Sequence, residues 1–436
     1  MKDTNASPAG GRRRRTWLAI RIIVTAGVAA AAGLAVLLGT AHFTAQPAAF
    51  LSVGFAGFLS SAAAGIWLVT RRVVDGRAQL RTISLIGAVA IGVPTFVLTT
   101  LVPTTEPSTI ESVAGQQVWH LLTGSQLAYV RIPAVGSPRQ TPIIFLHGGP
   151  GTPDMPADRS YFGQLSGDGF DVYVYDQLGS GRSSRLADPR AYTVARDVAD
   201  LEQIQAAIGA RKVVLIGHSY GAQVAAAYLA AHPDRVDRVV FSSPGSLDPA
   251  DTSGGNLTSR LPLGTRMRLY GRLMWPRNLL PYLLLQVNPN AAHRFAGDAE
   301  VDARNDRVYA TSEPALHCAD SPPHSPVPTG MGFYRLQYPQ SAPAPPEPDV
   351  RPALTHIATP ALVIKGSCDY QSWSSATSYL QTLPNTQLVY LHGGHNTYQD
   401  DPQQYLATVR AFLTGRPLPV TPWRGPSIPP DFQGPA

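Results

Sequence analysis

The 436-residue chain carries 35 Lys and Arg against 29 Asp and Glu, a formal net charge of +6 with neutral histidines. Ten of the basic residues but only Asp3 and Asp75 among the acids fall within residues 1–104, a local net of +8, so the remainder is −2. A basic excess confined to one end, beside apolar runs, reports membrane topology and excludes a nucleic-acid-binding surface spread over the fold.

Three apolar runs come first: Ile22 to Thr40, Phe50 to Val69 and Ile83 to Val102. Each is about 20 residues long without an ionised side chain, the length an α-helix needs to cross the hydrocarbon core. None shows the polar face that a helix of a soluble core keeps. Residues 1–104 are therefore expected to be a membrane region of three transmembrane helices, with the lipid bilayer as partner. A cleaved signal peptide fits poorly, because small-residue cleavage chemistry is missing after the first run and two more runs follow.

Arg12, Arg13, Arg14 and Arg15 precede the first run, and Arg71, Arg72, Arg77 and Arg81 separate the second from the third. The Ala41 to Ala49 connector has no Lys or Arg. The positive-inside rule then puts the N-terminus in the cytoplasm, and three crossings predict a multi-pass cell-membrane protein whose remaining chain is extracytoplasmic. Cys318 and Cys368, the only cysteines, would both lie where a disulfide is chemically allowed; two free thiols are the alternative.

From about Gln126 strand and helix patterns alternate, which predicts an α/β class with a mostly parallel sheet and helices on both faces. Leu127 to Ile132, Pro142 to Leu146, Phe170 to Tyr175, Val213 to Ile216, Val236 to Ser242, Ala361 to Lys365 and Gln387 to Leu391 read as strands. Thr193 to Ile208 and Pro402 to Leu413 read as helices. The alternation fails between Pro244 and about Thr355, where helical pieces and a proline cluster suggest an inserted cap. The expected organisation is a core in two parts, 115–243 and 356–415, around a 244–355 insertion, with a Pro-rich tail at 416–436.

Val213-Val214-Leu215-Ile216 runs into Gly217-His218-Ser219-Tyr220-Gly221, and an alanine-rich helical pattern follows. Strand, tight turn, helix is the setting in which Gly-X-Ser-X-Gly becomes a nucleophile elbow. Ser219 is the expected nucleophile, with the Tyr220 backbone N–H facing the space where an oxyanion forms. A serine hydroxyl needs a base oriented by a carboxylate, and in this chain order the acid precedes the histidine. Asp369 follows the Ala361 to Lys365 strand, and His395 follows Gln387 to Leu391 through Gly393-Gly394. His392 is the rival base, and His218 reads as structural. His147-Gly148-Gly149-Pro150-Gly151 after an earlier strand is the expected second oxyanion element, through the N–H of Gly149. No metal and no cofactor is expected.

Together His147-Gly-Gly-Pro-Gly151, Asp176-Gln-X-Gly-X-Gly-Arg-Ser183, the Ser219 elbow, Asp369 and Gly-Gly-His395 resemble the proline iminopeptidase family of α/β-hydrolases over roughly residues 115–415. The resemblance implies an α/β-hydrolase fold and a metal-free serine peptidase that releases an N-terminal residue, often proline, from short peptides. It also implies acidic cap side chains that hold the substrate's ammonium group; Glu300 and Glu313 are the expected pair, with Asp302 and Asp306 nearby. Two departures stand out. The elbow is Gly-His-Ser-Tyr-Gly where the proline-specific enzymes usually have Gly-Gly-Ser-Trp-Gly, and Leu178 replaces a usual arginine. The same machinery would cleave esters, so a carboxylesterase or other acyl hydrolase is the alternative. Cys318 and Cys368 are expected to tie the cap to the Asp369 loop, closing a loop of about 50 residues worth roughly 4 kcal/mol in the chain-entropy model.

Overall fold

A computed structural model describes residues 8–70, 77–103, 106, 108–251, 253–321 and 326–435. Arg71, Arg72 and Asp75 of the expected cytoplasmic loop lie outside them. The chain forms two compact units, Met1–Thr104 with Leu273–Gly297, and Thr105–Arg272 with Asp298–Ala436.

In the first unit α1 (Pro8–Phe43) and α2 (Pro47–Thr70) are joined by three residues and pack along each other. Small residues permit the approach: a Cβ on Gly33 would lie 2.7 Å from Phe58 Cβ, and one on Gly54 would lie 2.6 Å from Leu37 Cβ. Such small-residue seams are how helices associate where no hydrophobic effect drives them together. Ile23–Phe43 and Pro47–Val69 are long and apolar enough to cross a membrane. The third expected span falls short. α3 (Arg77–Phe96) contains Pro94 and passes into a π-helical turn, Val97–Leu101, and its apolar part among the described residues is the shorter Ile86–Leu101.

The insertion does not remain in one body. Its helices Pro276–Leu285 and Pro289–Phe295 belong to the first unit, where Arg277 Nη1 donates to the Thr100 carbonyl (3.2 Å) and Asn288 Nδ2 to that of Ala41 (2.8 Å). Helices Pro289–Phe295 and Asp298–Ser312 follow each other in the chain as separate elements.

The second unit is built on an eight-stranded sheet. Its strands are β1 (Gln117–His120), β2 (Gln126–Ile132), β3 (Ile143–Leu146), β4 (Val172–Tyr175), β5 (Val213–His218), β6 (Val236–Ser242), β7 (Ala361–Gly366) and β8 (Thr386–Leu391), in spatial order β1-β2-β4-β3-β5-β6-β7-β8. β1, β2 and β4 pair antiparallel; every pairing from β4 to β8 is parallel. β3, β5 and β7 are buried along their whole length, as strands covered on both faces must be. Alternate residues Ile143 and Phe145, Val214 and Ile216, with Val240 and Ile364, meet Phe162, Tyr405 and Phe412 on one face. Helix Tyr220–Ala231 packs on β3, β5 and β6, and helix Val194–Ile208 on that helix.

Chain order reverses between β3 and β5, and the crevice outside the carboxyl ends of such strands is where open α/β sheets bind ligands. The segment after Thr414 is irregular yet ordered onto the core. Gln433 N donates to the Ser367 carbonyl (2.8 Å), Trp373 Nε1 to that of Pro426 (3.1 Å), and the Trp373 and Phe432 rings meet edge to face.

Candidate active site

Ser219 stands between β5 and helix Tyr220–Ala231 with φ 52° and ψ −114°. A non-glycine residue at positive φ is strained, and it persists only where its surroundings leave no alternative. Here the surroundings are backbone: a Cβ on Gly221 would sit 2.1 Å from the Leu146 carbonyl oxygen, and one on Gly217 would sit 2.4 Å from that of Gly221. Ser219 N donates to the Ser242 carbonyl (2.9 Å), which fixes the turn onto β6. The His147–Gly151 loop lies directly on the elbow, since a Cβ on Gly148 would approach Ser219 Cβ to 3.1 Å.

That loop is held by the Asp176–Ser183 motif. Gln177 N donates to His147 Nε2 (2.9 Å), so the ring proton is on Nδ1, which donates to the Gly148 carbonyl (2.9 Å). Gln177 Nε2 donates to the His147 carbonyl (2.6 Å), and Asp176 accepts from Arg182 N (2.7 Å). Burial lowers the His147 pKa to about 4, keeping it a neutral strut.

Asp369 and His395 meet at the ends of β7 and β8, Oδ1 to Nδ1 at 2.8 Å. Asp369 is fully buried, and Gln371 N donates to the same Oδ1 (3.0 Å). Lys365, also fully buried, donates to Oδ2 (2.9 Å), to the Gln371 carbonyl (3.0 Å) and to Ser375 Oγ (3.3 Å). Burial opposes ionisation of Asp369, but Lys365 and His395 outweigh it and hold the carboxyl well below its usual range. The His395 ring lies 5.1 Å from the ring of His218, the residue before Ser219, and 4.6 Å from that of Tyr370.

His392 points elsewhere, exposed and facing Asp320 (3.3 Å). His218 is buried, with Nε2 3.1 Å from Asn396 Oδ1 and its pKa lowered to about 3 chiefly by burial. Tyr220 directs its hydroxyl at Asp197 (2.6 Å) while accepting from Arg335 (2.9 Å), a knot in which Arg335 also pairs with Asp197. The Tyr-for-Trp departure thus fills a packing position beneath the elbow. Cys318 and Cys368 are joined by a disulfide, Cα to Cα 5.3 Å. His392 approaches both sulfurs, but bonded sulfurs offer a metal no thiolate.

Of the expected ammonium-binding acids only Glu313 reaches the crevice. Glu300 pairs instead with Arg304 one helical turn away (3.2 Å). Asp302 is spent on Arg185 (2.9 Å) and Phe333 N (2.7 Å), and Asp306 on the N–H groups of Gly330 and Met331. Glu313 lines a chamber of about 40 Å³ with Gly148, His218, Asp154, Asp158 and Tyr309. Asp154 caps helix Met155–Phe162 through Ala157 N (3.3 Å), and Asp158 lies one turn further on. Burial, reinforced by Asp176, raises the Asp154 pKa to about 6; burial, then Asp154, raises Asp158 further.

Neither Lys365 nor Asp154 and Asp158 is signalled by a motif. The one sequence cue for Lys365 is a lysine ending a strand otherwise wholly apolar.

Residues 141–402 match the family model described as alpha/beta hydrolase fold. The chain belongs to the α/β hydrolases. It is 38% identical over 125 residues to the proline iminopeptidase of Heyndrickxia coagulans, covering 28% of this chain and 41% of that relative. It is 26% identical over 320 residues to the human 1-acylglycerol-3-phosphate O-acyltransferase ABHD5, covering 68% and 81%. Among solved structures, proline iminopeptidase from Mycobacterium smegmatis is similar at 20% identity and a TM-score of 0.46, covering 69% and 98%. The chain spans about two fifths of the length of the proline iminopeptidases it matches in sequence.

Proposed function

We propose that this α/β hydrolase is a membrane-anchored, extracytoplasmic serine hydrolase, an aminopeptidase of proline iminopeptidase type acting on short peptides through Ser219, His395 and Asp369. The observation that carries the reading is the buried Asp369–His395 pair at 2.8 Å, on loops at the same sheet edge as the strained Ser219 elbow. With Nδ1–H of His395 donating to the Asp369 carboxylate, His395 Nε2 is free to take the Ser219 Oγ proton as Oγ attacks the scissile carbonyl. The N–H groups of Gly149 and Tyr220 receive the oxyanion. The imidazolium returns its proton to the leaving amine, and the carbonyl reforms as an acyl-enzyme. A water, deprotonated by the same histidine, then releases the carboxylic acid and restores Ser219.

The chamber beside Gly148 supports a free-amine substrate. Asp154, Asp158 and Glu313 line it together, and an ionised carboxylate there offers an ammonium group charge-assisted hydrogen bonds. Acyl-ester hydrolysis is the second reading, favoured by the likeness to the acyltransferase and by the elbow's departure from Gly-Gly-Ser-Trp-Gly. One substrate panel tests both: aminoacyl amides, their N-acetylated forms and simple acyl esters, each with wild type and Ser219→Ala. Turnover that strongly favours free-amine substrates over their acetylated forms, and is abolished by the substitution, is the expected result. Equal turnover of acetylated or ester substrates transfers the assignment to the acyl hydrolases.

For the topology, we read α3 with its π turn as a third crossing. Two crossings would return the hydrolase to the cytoplasm, where glutathione reduces disulfides; three agree with the Cys318–Cys368 bond. Protease protection of the hydrolase in sealed inverted vesicles is the expected outcome, and digestion there would overturn this orientation.

A further inference from the structure

The catalytic base sits on a loop, and what holds that loop comes from the insertion. Leu316 accepts at its carbonyl from His395 N (2.6 Å) and Asn396 N (3.4 Å). Asp400 Oδ2 accepts from Gly394 N (2.6 Å) and Cys318 N (3.2 Å). Three consecutive backbone donors, at 394, 395 and 396, are thus engaged by the 316–318 segment or by the carboxylate that segment shares. The approach is close enough to need glycine, since a Cβ on Gly394 would lie 2.2 Å from the Leu316 carbonyl oxygen.

His317 sits at the centre of this brace. Its Nδ1 lies 2.6 Å from Asp400 Oδ1 and its Nε2 lies 2.7 Å from Glu313 Oε1. Two carboxylates, one at each ring nitrogen, favour the doubly protonated imidazolium. Arg260 donates to the His317 carbonyl (3.2 Å) and to that of Cys368 (2.6 Å), the residue before Asp369. The Cys318–Cys368 disulfide ties the same segment to the same loop, and Cys368 N donates to the Gly393 carbonyl (2.8 Å).

We propose that His317, clamped between Glu313 and Asp400, is a positioning residue for His395: it fixes the 393–396 loop, and through it the imidazole that serves Ser219. The inference rests on the catalytic roles proposed above. His317 touches neither substrate nor reacting atoms; it acts through Asp400 and the backbone of Leu316. Because Glu313 also lines the acidic chamber, one ion-paired cluster joins the chamber wall to the base. Misplacing a catalytic group by about 1 Å costs on the order of 10²-fold in rate, which sets the expected scale.

The groups facing the ring are Glu313 and Asp400, with Arg260 on its carbonyl. Burial works against the charge, and the two carboxylates outweigh it, raising the His317 pKa to about 9. The charged clamp is therefore complete below the ordinary value near 6.5 and is lost as pH rises through about 9.

The test uses the full chain in detergent, with kcat, KM, labelling of Ser219 by a fluorophosphonate, and thermal unfolding followed together. His317→Ala and Asp400→Asn are expected to lower kcat about 10²-fold with KM held within about twofold, and to slow labelling in parallel. His317→Lys, which restores a cation, recovers part of the loss, and His392→Gln leaves kcat unchanged. Wild type loses kcat reversibly as pH passes about 9 without a change in KM. Full kcat in folded His317→Ala overturns the proposal. Should the variants fail to fold, a wild-type kcat that stays level through pH 9 overturns it instead. Ser219→Ala separates the two failures: activity surviving there refutes the nucleophile, whereas an inactive Ser219→Ala beside a fully active His317→Ala refutes the brace alone.

Discussion

The two halves of the site are held by different forces. Around Ser219 the constraints are backbone: two glycines in van der Waals contact with main-chain carbonyls, one strained φ, and a histidine kept neutral by burial. Around His395 they are charges and a covalent bond: Lys365 on Asp369, Glu313 and Asp400 on His317, Cys318 on Cys368. Steric constraints do not titrate and do not reduce. Ser219, the proposed nucleophile, should therefore keep its geometry across pH and redox state, while His395, the proposed base, is open to both.

The largest expected effect lies on the nucleophile side. Ser219→Ala should lower kcat by about 10⁴-fold or more, leaving only what the oxyanion donors and binding supply. It should not lower the melting temperature, because it relieves no charge and opens no cavity. A variant with unchanged turnover would place the chemistry elsewhere.

On the base side, Lys365→Met leaves a buried carboxylate with one ionic partner fewer. Breaking a buried pair in this way typically costs about 3–5 kcal/mol, to be read by denaturant titration. The sign with pH follows from Asp369, whose depressed pKa contributes stability above the ordinary carboxylate value that is lost as pH falls. Without Lys365 that loss should begin at higher pH. An acid transition identical to wild type would show that Lys365 does not set the Asp369 charge.

Replacing both cysteines by serine reopens a 50-residue loop, worth about 4 kcal/mol in the chain-entropy model. Thiol titration of the unfolded, unreduced wild type should find no free thiols. Reducing agent should lower kcat and spare the Ser219 backbone, visible as slower but still complete fluorophosphonate labelling. Loss of labelling altogether would mean that the elbow also depends on the disulfide.

The same contrast explains what the sequence made legible. The elbow, the His147 loop and the Asp176 motif are contiguous, because a tight turn must be specified by the residues within it. The strands and most core helices were readable from the same local periodicity, and β1 escaped because four residues with two polar ends show no alternation. The brace on His395 draws on residues 260, 313–318, 365, 368 and 400. The sequence offered the cysteine tie and, for another role, Glu313, but Arg260, His317 and Asp400 are ordinary in their own neighbourhoods, and only the fold brings these charges together. The division of the insertion was hidden for the same reason. Nothing local to Leu273–Gly297 announces that its partners are the N-terminal helices, just as nothing in the run from Ile83 foretells the wide turn after Pro94.

The smallest effect concerns Asp154. With a pKa near 6, it loses its charge as pH falls from 7.5 to 5. An ammonium group prefers the ionised chamber, so KM for a free-amine substrate should rise about tenfold over that interval, the change expected for one group titrated one unit below its pKa. A change of pH also acts on kcat. The decisive quantity is therefore the ratio of KM values for an aminoacyl amide and its N-acetylated form, in which effects on the triad cancel. Asp154→Asn should flatten that ratio while leaving kcat for the acetylated form unchanged. A flat ratio in wild type would remove the chamber from substrate recognition and leave its carboxyls as buried supports of the His147 loop.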